Sequence, residues 1–116
     1  HLSWQAYFEQ DYIGLERVSG NRTLLDRELA HLTPARPSIC ETRPGTTMLG
    51  MVEAGIGIAA VPAMSMPAGE HSVLRAVPLT DPVVTRTVGL IRLSGRIQSY
   101  VAAELEKLII EQYPSG

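Results

Sequence analysis

The chain is short of most of what would announce a chemistry. Its 116 residues include one cysteine, one tryptophan and one phenylalanine, and aromatics reach only 5%. A lone Cys40 excludes an internal disulfide and fits a reducing, cytoplasmic compartment. No apolar run approaches the roughly 20 residues that a membrane-spanning helix needs, so no membrane partner is expected. No secretory signal is visible, and the start at His1 rather than at a methionine reads as a cut inside a larger protein or a tag remnant. Charge of one sign is also missing, the net being −2. That excludes a basic stripe for nonspecific nucleic-acid binding by this chain itself. Any DNA contact then belongs to a separate region, whose charge this chain would not reveal.

Catalytic and metal signatures are equally scarce. His1, His31 and His71 have no His, Cys or carboxylate at zinc-ligand spacing. His31 near a helix end suits the negative end of the helix dipole, and His71 sits in a polar loop. Ser19 is not flanked by the glycines of a nucleophile elbow. Cys40 has no basic or histidine neighbour in sequence and reads as a small core residue. No catalytic residue, metal ligand or cofactor is therefore expected.

What is present is a core and a pattern. Hydrophobic residues make up 45% of the chain, enough for one packed domain. The most informative stretch is Thr46 to Pro62, TTMLGMVEAGIGIAAVP. Thr46 or Thr47 can cap a helix start. Met48, Leu49, Met51 and Val52 recur at helical spacing. Gly55 stands where a helix needs a left-handed residue to stop. Ile56 to Val61 then reads as a strand covered on both faces, closed by Pro62. The letters GxGxxA over Gly55–Ala60 match a dinucleotide fingerprint, but a helix precedes them and a strand follows, the reverse of what a phosphate site requires.

Around this unit, Ser3–Gln10 reads as a short helix or turn and Tyr12–Arg17 as a strand. Thr23–Leu32 reads as a helix with Leu24, Leu25, Leu29 and Leu32 on one face and a Thr23/Asp26 capping box. Ser38–Arg43 is a strand; Met64–Ser72 is a loop. Val73–Leu79 is a short edge strand, Thr85–Leu93 another strand, and Ile97–Tyr113 the longest helix. Helices separate the first three strands, so those should run parallel. The fold class is α/β: a mostly parallel sheet flanked by helices, and a partial domain.

Parallel sheets bind ligands at the carboxyl ends of their strands. That singles out Val18, Ser19, Gly20, Asn21, Arg22 and Thr23 after the first long strand, and the 43–47 exit with Thr46 and Thr47 after the second. Pro62 ends the third. Free N–H groups at two helix starts, Arg22 and several hydroxyls suit an anionic or polar small molecule. The same residues also serve ordinary caps and turns, and the spacing alone leaves both readings open.

Three pieces resemble the effector-binding domain of LysR-type transcriptional regulators. They are TTMLGMVEAGIGIAAVP, VPLTDPVVTRTVGLIRL and DYIGLERVSGNRTLLDREL, which together cover most of the chain. The resemblance implies a type-2 periplasmic-binding-protein-like fold, in which two subdomains flank an effector cleft and a winged helix-turn-helix binds DNA. By it, residues 1–93 form the second subdomain with its lead-in and return strand. Residues 94–116 form a C-terminal helix that packs on an absent first subdomain. The loops at 18–23 and 43–47, with 62–64 nearby, face the cleft. The Ser38–Arg43 strand and Thr46–Ala54 helix pair subunits in a bacterial dimer. A solute-binding protein of the same fold and a small α/β enzyme are the competing readings. Without its partner subdomain, the chain is expected to expose apolar surface on the last helix and near Trp4, Tyr7 and Phe8.

Overall fold

The computed structural model describes residues 1–69 and 73–114, so the loop position expected for His71 lies outside the described residues. The chain divides into two compact units, His1–Thr85 and Arg86–Gly116.

The first unit opens with a two-residue strand, Leu2–Ser3 (β1), and a single-turn helix, Trp4–Tyr7 (α1). Ser3 caps α1 by accepting the Ala6 N–H at 3.1 Å. Tyr12–Leu15 (β2) follows, then helix Gly20–Glu28 (α2), strand Cys40–Thr42 (β3), helix Thr46–Glu53 (α3) and strand Ile58–Ala59 (β4). These three strands form one parallel sheet in the order β3-β2-β4. A 3₁₀ turn at Ala63–Ser65 and a last short strand, Leu79–Thr80 (β5), complete the unit, with β5 pairing β1 in parallel.

Alternation along β2 sends its side chains to opposite faces. Tyr12 packs with Trp4, Tyr7 and Leu29, so α1 and α2 cover that face. Ile13 and Leu15 pack with Met48 of α3 on the other face. Ile13 and Met48 are the most completely buried side chains. Fully burying a side chain of this kind is worth about 1.5–3 kcal/mol.

Several sequence expectations change here. Trp4 and Tyr7 are core residues, 3% and 4% exposed, and not an uncovered patch. Their rings pack edge-to-face at 5.5 Å, and the strand-bearing Tyr12 closes the cluster against Tyr7 at 5.2 Å. Helix α2 begins at Gly20, before the expected Thr23, because the turn Ser19 N–H to Glu16 carbonyl delivers an extended Ser19 as the helix cap position. The Thr23/Asp26 capping box does not form; Asp26 binds Arg22 instead.

The α3–β4 junction follows the expected stop. Gly55 has φ +77, and the N–H groups of Gly55 and Ile56 donate to the carbonyls of Val52 and Met51. This is the Schellman closure, which needs a left-handed residue there. Gly45, not Thr46 or Thr47, occupies the cap position of α3, with φ 119. The expected Ile56–Val61 strand shrinks to Ile58–Ala59, because Ile56 is spent on the helix closure and β4 is an outer strand. It is half-buried rather than covered on both faces.

Thr85–Leu93 forms no ladder, since no strand among the described residues runs beside it. Of the expected Val73–Leu79 strand only Leu79 pairs, as the first residue of β5; Leu2 N–H donates to the Pro78 carbonyl just before it. In the second unit, Ser99 caps helix Tyr100–Gln112 (α4) by accepting the Ala102 N–H at 3.2 Å, which leaves Ile97 ahead of the helix. Within that unit Gln98 donates to Glu106 at 2.7 Å, and Arg92 lies 3.6 Å from the same carboxylate. Leu105, Leu108 and Ile110 stay more than half exposed.

Candidate functional site

Leu15 stands opposite Thr42 in the parallel β2–β3 pair, so the chain leaves both strands at one edge of the sheet. The ladder continues one residue further, with Glu16 N–H donating to the Thr42 carbonyl at 3.1 Å. Above it, Arg43 Nε donates to Glu16 Oε2 at 3.2 Å. Strand β4 runs parallel to β2 as well, which brings the exit at 60–62 to the same edge. The Gly20 and Gly45 corners, each starting a helix, therefore share a rim with Pro62.

The helix starts on this rim differ from the other two. Ser3 and Ser99 cap α1 and α4 with their hydroxyls, whereas neither Ser19 nor Gly45 gives a side-chain cap to α2 or α3. The first N–H groups of a helix are unsatisfied unless a cap, water or ligand accepts them, and the helix dipole adds partial positive charge there. Two such ends meet at one edge, a suitable setting for an anion.

The expected site residues fall into place unevenly. Val18 is 87% exposed, and Thr46 and Thr47 are also exposed, while Ser19 and Asn21 are half-buried. Thr23 Oγ1 donates back to the Ser19 carbonyl at 3.4 Å, inside the helix. Pro62 is half-buried and leads into the 3₁₀ turn. The Arg22 guanidinium is bonded within the chain. Its Nη1 donates to the Leu15 carbonyl at 2.8 Å and to Glu41 Oε1 at 3.3 Å, and its Nε to Asp26 at 2.9 Å. The hydrogen bond to Asp26 is the main cause that raises its pKa, so the group stays charged. Its visible role is to tie the end of β2 to β3 and α2.

Sequence reading missed two residues that shape this edge. Glu41 faces Arg22 across 19 positions, a pairing with no local signal. Tyr7 accepts the Ala60 N–H at 3.1 Å and so pins the exit of β4. Burial pushes its phenol well above the ordinary value of 10.0. Among the described residues no group of three or more His, Cys, Asp or Glu is placed to hold a metal ion. No helix of the described residues is long and apolar enough to cross a membrane.

Comparison with known proteins decides the family. Residues 1–114 match the LysR substrate binding domain. The chain belongs to that family. Its fold is accordingly periplasmic-binding-protein-like, in agreement with the parallel α/β sheet. Two relatives carry the name of uncharacterized HTH-type transcriptional regulators. YbhD of Escherichia coli (strain K12) is 37% identical over 109 residues, covering 94% of this chain and 34% of YbhD. YfeR of Shigella flexneri is 33% identical over 112 residues, covering 97% of this chain and 36% of YfeR. The chain thus spans about a third of the length of these relatives. No solved structure gives a significant match.

Proposed function

We propose that this chain is the effector-sensing part of a LysR-type transcription regulator, acting in the cytoplasm and without catalysis of its own. The carrying observation is the shared rim: two helix starts without side-chain caps, at the same edge of a parallel sheet. A carboxylate or other small anion takes its hydrogen bonds from the first backbone N–H groups of the two helices, at Gly20 and at Thr46 and Thr47. Hydroxyls of Ser19, Thr23, Thr46 and Thr47 add specificity, and Val18, Gly20, Asn21 and Pro62 shape the walls. Arg22 keeps the rim in place through Leu15 and Glu41 rather than holding the ligand alone. The rest of the cleft comes from a first subdomain, which the 94–116 segment packs against.

Signalling requires that the effector favour one arrangement of the regulator over another, since equal affinity for both shifts nothing. The DNA contact belongs to a helix-turn-helix region, in keeping with the names of the relatives. A second copy pairs through the Ser38–Arg43 strand and the Thr46–Ala54 helix. Supporting that, β3 is an outer strand with one unpaired edge among the described residues, and unpaired edges invite pairing.

The test is a thermal-shift screen of organic acids and aromatic compounds on the full-length protein, joined to a DNA-binding assay. Stabilisation by one class of acid, with an altered DNA footprint, is expected. No stabilisation by any class and no DNA binding overturns the reading. A solute-binding role would instead show ligand capture with no DNA binding.

A further inference from the structure

Beside the rim, which it meets at Leu15 and Arg22, a cavity of about 660 Å³ opens on the Tyr12 face of the sheet. Small-molecule sites span roughly 300–1,000 Å³ and combine apolar walls with a few convergent polar groups. This cavity has that make-up. Its floor is aromatic, from Trp4, Tyr7, Phe8 and Tyr12. The inner side of α2 supplies Leu25 and Leu29, and the connector at 34–38 forms the opposite wall.

Three features favour a built chamber. Gly14 sits in the middle of the central strand, where glycine weakens a sheet and marks a close approach. A Cβ there would meet Ser38 Oγ at 2.8 Å, so the glycine lets the connector wall come down onto the strand. Tyr12 holds that wall, its hydroxyl donating to the Arg36 carbonyl at 3.0 Å. At the α2 end, Arg22 meets both Asp26 and Glu41, one cation against two carboxylates, and the other arginine on the cavity wall, Arg36, is paired with Asp11 at 2.6 Å. Each carboxylate retains acceptor positions that Arg22 does not fill.

We infer that this cavity is a second ligand site, adjoining the rim at Arg22 but opening on the Tyr12 face, for a compact aromatic molecule carrying an ammonium group. The ring occupies the aromatic floor, and the ammonium donates to Asp26 and Glu41. Aromatic faces favour the same sign of charge. The two sites therefore select opposite charges: the rim takes an anion from backbone N–H groups, the chamber a cation from carboxylates. The inference does not depend on the rim reading.

Isothermal titration of the full-length protein with phenethylammonium, phenylethanol and phenylacetate tests it. Hydrogen bonds to charged groups make phenethylammonium bind at least about tenfold more tightly than the neutral phenylethanol, whereas phenylacetate reports on the rim. Ala30 and Ala35 line the cavity and are exposed, so Ala30→Trp blocks the mouth without disturbing the core, and Ala35→Trp repeats the block from the connector. Either variant, folded by circular dichroism, weakens phenethylammonium by about tenfold or more, as expected when a ligand's apolar contacts are lost. Ser19→Ala leaves that binding unchanged. Phenylethanol binding as tightly as phenethylammonium, unchanged phenethylammonium binding in both tryptophan variants, or no binding of phenethylammonium overturns the inference.

Discussion

The hydroxyl of Tyr7 accepts the backbone N–H of Ala60 at 3.1 Å, joining the first helix to the exit of β4. The two residues are 53 positions apart, and the bond fixes where the chain leaves the sheet toward Pro62. Removing the oxygen leaves a part-buried N–H without its acceptor. Tyr7→Phe should lower stability by about 1–3 kcal/mol, read by chemical denaturation, because an orphaned buried donor costs most of its desolvation.

The same phenol sets a pH dependence. Burial is the main cause that raises the Tyr7 pKa, and burial raises that of Tyr12 as well. The folded state then holds these protons more tightly than the unfolded chain, whose phenols titrate near 10. Stability is fully present below about pH 10 and falls as pH rises above it. In Tyr7→Phe the alkaline fall should become shallower between pH 9 and 11. An unchanged slope would show that Tyr7 does not contribute.

Glycine substitutions should separate by sign. Gly50 lies inside α3 with open space at its Cβ, so Gly50→Ala should stabilise by up to about 1 kcal/mol. Gly55 sits at φ +77, and alanine there should cost about 1–2 kcal/mol through left-handed strain. Gly57→Ala should be worse still, since its Cβ would meet the Asp11 carbonyl at 2.5 Å. That carbonyl already accepts the Ile58 N–H, so it cannot retreat without loosening β4. Thermal melts of the three variants check the ranking.

Two arginines on the same edge should behave differently. Arg22 is mostly covered and serves Leu15, Asp26 and Glu41, whereas Arg43 is 83% exposed and serves Glu16 alone. Arg43→Ala should change stability by less than about 1 kcal/mol. Arg22→Ala should cost more, since it leaves the Leu15 carbonyl at the end of β2 without this donor and removes the cation between Asp26 and Glu41. Urea midpoints compared at low and high salt distinguish the two.

Local signals carried much of this fold into the sequence. The α3 stop at Gly55 was legible because a helix ends by contacts within a few residues, and the Schellman bonds from Gly55 and Ile56 are of that kind. The parallel order of the first three strands followed from the intervening helices. Thr85–Leu93 was misread because a strand exists only beside another strand, and hydrophobic alternation does not supply the neighbour. Trp4, Tyr7 and Phe8 looked like surface because their partners, Tyr12 and Leu29, lie beyond the local window. At the rim, the loops themselves were legible from turn chemistry. The orientation of Arg22 was not, since Glu41 and the Leu15 carbonyl reach it through the tertiary fold.

The most direct test of the shared rim is hydrogen–deuterium exchange on the full-length protein, with and without the organic acid that stabilises it most. Protection should concentrate at residues 18–23, 45–47 and 60–62. Protection confined to other segments, with those three unchanged, would contradict the account.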